Sequence, residues 1–213
     1  MNIEKIFPES ERKKIKDAIA KVEAKTSGEI VPMVVTTSDD YFWIHWLAFV
    51  LGIIVGGVLF SFLEMNSPWP QQWYYVFAWQ SFFAFLFSAL SFFSAVLRFL
   101  VPKKTMQKEV HRAAHAEFLA QGLTSTTHHT GILIYISLLE RCVCIIGDHG
   151  IHTKVPDTYW DQQVKIISLG MREGRAADAL VEAIQSMGEA LVKHFPADGG
   201  GKSELSNELR IGH

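Results

Sequence analysis

Two uncharged stretches constrain the chain more than any other feature: from Tyr41 to Leu63, and again from Trp73 until Arg98, no Asp, Glu, Lys or Arg occurs. Each is about as long as the roughly 20 residues that a helix needs to cross a hydrocarbon layer of about 30 Å. A chain of 213 residues has no room to surround two helices that are apolar on every face, so burial in a soluble core is a poor alternative. The stretches are read as transmembrane helices over 41–63 and 73–101, joined by a short external loop over 64–72. Overall hydrophobic content is an unremarkable 49% only because both flanks are dense in charge, and the average hides two solvents.

Gly52, Gly56 and Gly57 in the first stretch, and Ser88, Ala89, Ser91, Ser94 and Ala95 in the second, are small residues of the kind that let lipid-embedded helices approach closely. A tight hairpin is expected. Trp43, Trp46, Trp69, Trp73, Tyr74 and Tyr75 cluster near the ends of the stretches, where amphipathic rings sit at headgroup level. No acidic or basic side chain lies deep in either span, so the usual mark of a transporter or proton path is missing. The first forty residues are charged and helix-patterned, unlike a cleavable signal peptide.

Orientation follows from positive charge. The connection Glu64 to Gln72 has no Lys or Arg, whereas Arg98, Lys103, Lys104, Lys108 and Arg112 crowd the exit of the second span. The chain is therefore expected to be integral to the cell (inner) membrane, with both soluble segments in the cytoplasm. Cys142 and Cys144, two apart in a strand-like run, need no bridge in a reducing compartment and read as small core residues.

The segments on either side of the spans, 1–40 and 102–195, read as two parts of one domain. Ile15, Ala18, Ile19 and Val22 recur at helical spacing behind Pro8, Gly28 ends that helix, and a strand follows from Glu29 to Thr37. One helix and one strand cannot bury a core alone. After the spans, Val110, Ala113, Ala114 and Phe118 mark a helix ending near Gly122. Gly131 to Leu138 and Cys142 to Ile146 form a β-hairpin around Glu140 and Arg141. Helices are expected around Trp160 to Met171 and from Arg175 to His194, and 196–213, with three successive glycines, is expected to be a flexible tail.

Several runs, in order, resemble the TPM domain family: Phe7-Pro8-Glu9-Ser10-Glu11-Arg12, Thr26-Ser27-Gly28-Glu29-Ile30-Val31-Pro32, Thr130-Gly131-Ile132-Leu133-Ile134 with Glu140-Arg141, and Gly150-Ile151 with Val155-Pro156. Asn207-Glu208-Leu209 resembles the tail of a bacterial membrane branch in which a two-helix hairpin interrupts the domain. The resemblance implies a three-layer α/β/α sandwich around a small mixed sheet. It also implies one of three roles: acid phosphatase activity, calcium binding, or help in the assembly or repair of membrane complexes. Better known members place the domain outside the cytoplasm, against the orientation argued here.

Candidate chemistry gathers in Gly147-Asp148-His149-Gly150-Ile151-His152-Thr153-Lys154-Val155-Pro156-Asp157. The family's loop reads Gly-x-Gly-Leu-Glu, and here His152 stands where the Glu would be. Asp148, Asp157 and Asp161 remain as oxygen donors for calcium or magnesium, fewer than the six to eight ligands calcium takes. The competing reading makes Asp157 a helix cap and Asp148 a turn residue. His111 and His115 have a chelating spacing but lack the Glu of a metalloprotease, and His128-His129 has no third ligand in view. Gly201-Lys202-Ser203 lacks the first glycine of a phosphate-binding loop, since Pro196 stands in its place. Neither cysteine is followed by the Arg a cysteine phosphatase needs.

A net charge of −2 gives no basic field for nucleic acid. The expected function is a membrane-anchored interaction module that assists assembly, maintenance or regulation of another membrane protein complex and requires no cofactor. Its partners are the lipid bilayer and another membrane protein, with a LemA-type protein implied by the resemblance and self-association compatible with it. The alternative is a metal-assisted phosphatase using Asp148, Asp157 and Arg141.

Overall fold

A computed structural model describes residues 3–66, 72–126, 129–197 and 205–212, without the side chains of His152 and Asp157. Residues 67–71 of the expected external loop, with Trp69, lie outside the described residues, as do His128 and Gly201-Lys202-Ser203. The chain forms two compact units, Met1–Asp39 with Gln107–His213, and Asp40–Met106.

In order, the elements are α1 (Ile3–Ile6), α2 (Glu9–Glu23), β1 (Glu29–Val35), α3 (Phe42–Met65), α4 (Tyr75–Ser91), α5 (Ser94–Leu100) and α6 (Lys103–Ala120), and then a 3-10 turn at Leu123–Ser125. They continue as β2 (Gly131–Ser137), β3 (Cys142–Gly147), α7 (His149–His152), α8 (Asp157–Glu173), α9 (Ala176–His194) and β4 (Arg210–Gly212).

The first unit is a mixed sheet in the order β3-β2-β1-β4, with helices on both faces. β1 runs parallel to β2 and to β4, and β2 runs antiparallel to β3. Alternation along the strands sorts the side chains. Ile30, Val34, Ile132, Ile134 and Ile136 join the core made with α2, α8 and α9, while Val31, Met33, Val35, Leu133 and Tyr135 join the one made with Val110, Ala114 and Phe118 of α6. The expected sandwich is thus present, and β1, from before the hairpin, sits inside the sheet rather than at its edge.

Pro32 is an odd residue for an inner strand, because it has no N–H to give to a ladder. The register explains its place. Glu29 donates toward β2, to the Thr130 carbonyl, so Ile30, Pro32 and Val34 face the other way. On that side β4 begins only opposite Met33. The N–H of Ile30 finds the buried Glu23 carboxylate at the end of α2 instead, at 3.0 Å.

The expected flexible tail is corrected at its far end. Arg210–Gly212 pairs with Met33–Val35 as the fourth strand, Leu209 is buried in the core, and Glu208 meets Lys16 at 2.8 Å. Three residues of strand carry too little alternation to be seen beside a run of glycines.

The second unit is built from α3 to α5 and the residues around them. The side chains of α3 include Phe42, Val58 and Phe62, each 64–68% exposed, a cost that water would not offset and hydrocarbon removes. α3 is long and apolar enough to cross a membrane. The second stretch passes the same test only as a pair, since α4 and α5 meet at 99°. A single helix over 73–101 was expected. Instead Ser91 donates to the Ser88 carbonyl at 2.6 Å and contacts His45 Nδ1 of α3 at 2.7 Å, and the backbone turns extended at Phe93 (ψ 126°). Side-chain bonds to the backbone and serine-rich sequence are known ways to break a helix.

Within this unit Gly52 and Gly56 touch α4 backbone to backbone. A Cβ on Gly56 would lie 2.7 Å from the Trp79 carbonyl oxygen, and one on Gly52 would lie 2.7 Å from the Ala84 Cα. The close approach expected of these glycines is present. On the α4–α5 side, the contacts come from buried Ala84 and Ser91, whereas Ala89, Ser94 and Ala95 are exposed.

Candidate functional site

Asp148 closes β3. Its N–H donates to the Gly131 carbonyl, extending the β2–β3 ladder by one step. Its side chain caps the single turn of α7, accepting from the His149 N–H at 2.7 Å through Oδ1. Oδ2 lies 3.2 Å from His129 Nδ1, with Asp148 nearly buried and His129 mostly exposed. His129 adopts φ +52°, a left-handed conformation that turns its side chain back over the strand end. The expectation of a turn role for Asp148 is met, and the pairing with His129 is new. It was legible only through the hairpin register: Ile132 pairs with Gly147, so His129 falls opposite the loop after Asp148.

Arg141 stands at the other end of the same strand, in the turn between β2 and β3, at φ +53°. Six strand residues separate it from Asp148, about 20 Å at the usual rise per residue. The two side chains therefore do not converge on one substrate group. Asp161 is exposed on α8. Asp157 is the first residue of α8, behind Pro156 at the N-cap position, and its side chain lies outside the described residues. Among the described residues no three His, Cys, Asp or Glu side chains could hold one metal ion.

His111 and His115 do meet, with their Nε2 atoms 3.3 Å apart on α6, and Cys144 Sγ lies 3.2 Å from His111. The sulfur, however, contacts Nδ1, the ring nitrogen facing away from His115, so the three donors do not face a common point. Burial, helped by the nearby His111, pushes the His115 imidazole below its usual range. Burial, reinforced by Cys142, pushes the Cys144 thiol up to about 11, and Cys142 is raised by burial and Glu140. Thiols held protonated at neutral pH are poor nucleophiles, and the core place expected of the two cysteines holds in part, since both are half-buried against the α6-side core.

One well-connected polar side chain was read from the sequence only as half of a polar turn. Glu140 is buried and accepts from the Ser38 N–H at 3.0 Å, from Thr37 Oγ1 at 3.3 Å and from Ser137 Oγ. It joins the end of β1 to the β2–β3 turn. A Glu beside an Arg in a predicted turn reads as solvated, and only the return of β1 alongside β2 reveals the buried role.

Comparison with known proteins agrees with this architecture. Residues 94–190 match the TPM domain family. The solved structure of BA42 protein from the psychrophilic bacterium Bizionia argentinensis is similar in fold, with a TM-score of 0.59 and 23% identity over 95% of this chain and 93% of that one. No curated protein matches the chain. The Phe7–Arg12 and Thr26–Pro32 runs fall before the matched stretch; the second is linked to it by the sheet, where Glu29–Val35 pairs with Gly131–Ser137, and the first by Phe7 in the shared core. Residues 94–190 carry the likeness to the TPM domain family, and the mixed α/β fold to which they contribute is TPM-like.

Proposed function

We propose that the chain is a membrane-anchored interaction module: an apolar helical hairpin holds it in the bilayer, and its TPM-like body, on the cytoplasmic side, assists the assembly, maintenance or regulation of another membrane protein. The observation that carries this reading is the insertion itself. The apolar helices enter between β1 and α6, two elements of one body, so anchoring is built into the domain rather than appended to it. Dispersal of Arg141, Asp148 and Asp161 supports a binding role over a hydrolytic one, because function is argued from an assembled site. A LemA-type membrane protein is the partner class that the family resemblance implies. Pull-down of the full chain from gently solubilised membranes tests this: a membrane protein retained by the full chain and lost on substitution of surface residues of the body supports the reading, and recovery of lipid alone counts against it.

One observation favours metal-assisted phosphatase chemistry, the Asp148–His129 contact at 3.2 Å, a carboxylate that could orient an imidazole for proton transfer. Turnover of a phosphate ester by the full chain, abolished in Asp148→Asn, would put this reading first.

A further inference from the structure

A cleft of about 570 Å³ opens in the first unit between α1, the β2–β3 turn and the last turns of α8. That volume falls in the range of small-molecule sites, and so does its composition, mostly apolar with a few polar groups. Three cations line it, Lys5, Arg141 and Arg172, and no Asp or Glu does. None of the three has an ion-pair partner among the described residues. The neighbouring carboxylates are engaged elsewhere: Glu140 with Ser38 and Thr37, and Glu173 with Arg175 at 2.6 Å. Ile6, Leu138, Val143 and Met171 supply apolar wall.

We propose that this cleft binds a small anionic amphiphile, an oxyanion held by Lys5, Arg141 and Arg172 with an apolar group laid against Ile6, Leu138 and Met171. Charge selects the head. Guanidinium groups present paired N–H donors to carboxylate or phosphate oxygens, and three cations lining one cleft offer an anion more than one partner. The apolar wall selects the tail, because a bare ion would leave it wet. Arg141 is held at φ +53° at the last position of the β2–β3 turn, which fixes where its side chain leaves the backbone beside the cleft. Carboxylate and phosphoester heads share this chemistry, and the experiment separates them. The site is independent of Asp148, which lies at the far end of β3, and of the membrane partner proposed above.

The test is calorimetric titration of the full chain, in micelles of a neutral detergent, with hexyl phosphate, hexanoate, hexanol, inorganic phosphate and an acidic-apolar hexapeptide. Blank micelles correct for partitioning. Saturable binding of hexyl phosphate or hexanoate is expected, with hexanol and inorganic phosphate at least about tenfold weaker; which of the two heads binds more tightly identifies the source. Arg172→Gln and Arg141→Gly, the latter suited to the positive φ, should each weaken binding about tenfold to a hundredfold. Lys154→Gln, outside the cleft lining, should not. Equal affinity in the arginine variants, equal affinity for hexanol or inorganic phosphate, or binding of the peptide alone would each overturn the proposal.

Discussion

Asp39 and Arg112 lie 73 residues apart in the chain and 3.0 Å apart in space. Asp39 is the last residue of the TPM-like body before the hairpin, and Arg112 is one turn into the part that follows it. The pair ties the point where the chain leaves the body to the helix by which it returns. Arg112 is 69% exposed and Asp39 28% exposed, so water screens the contact. A double-mutant cycle with Asp39→Ala and Arg112→Ala should give a coupling of about 0–1 kcal/mol that shrinks with added salt. A salt-independent coupling of several kcal/mol would make the pair a principal clamp.

The stronger clamp is Glu140. Glu140→Ala leaves the Ser38 N–H and the Ser137 hydroxyl without their acceptor, at a cost of about 2–4 kcal/mol. Amide hydrogen exchange in β2, such as that of Ile134, should accelerate accordingly, and Glu140→Gln, which keeps one acceptor oxygen, should fall between. Unchanged exchange in Glu140→Ala would mean that the β1 end is held by something else.

Replacing Gly56 by Leu forces a side chain onto the α4 backbone at Trp79 and Gln80. The substitution should lower the stability of the hairpin in micelles by about 1–3 kcal/mol, read as an earlier SDS denaturation midpoint. Exposed Phe62→Leu serves as the reference that should leave the midpoint in place.

Cys144 should be slow to alkylate. With the Cys142 and Cys144 adducts resolved separately by mass spectrometry, a thiol raised from 9.0 to about 11 has roughly a hundredfold less thiolate near pH 8 than in the unfolded chain. The sign follows for stability: a folded pKa above the unfolded one favours the fold below about pH 9, and that contribution is lost as pH rises through about 11. Labelling rates compared with and without denaturant check this, and equal rates would contradict it.

Much of the architecture is legible in the residues. The spacing of Ile15, Ala18, Ile19 and Val22 gives α2 and its buried face, and Glu140-Arg141 between two β-branched runs gives the β2–β3 hairpin to within a residue. What stayed hidden depends on contacts between distant segments. The bend between Ser91 and Ser94 lies in a run apolar on every face, where periodicity has nothing to read, and Ser91 there bonds the Ser88 carbonyl and meets His45 of another helix. β4 forms because β1 has a free side beyond Pro32, a property of β1 and not of the tail. For the candidate site, Asp148 in its turn was readable from the loop pattern. His129 beside it required the register, and the distance from Arg141 to Asp148 required knowing that both belong to one extended strand.

The most direct test of the anchored, interrupted domain is sidedness. A reporter active only outside the cytoplasm is placed in turn at the N-terminus, after Asn66 and at the C-terminus of the full chain. Two complete crossings, with α4 and α5 together making the second despite their 99° bend, predict activity after Asn66 and none at either end. Activity both after Asn66 and at the C-terminus would show that α4–α5 is a re-entrant pair, and would contradict the account, because β1 and β2 could not then share a sheet on one side of the membrane.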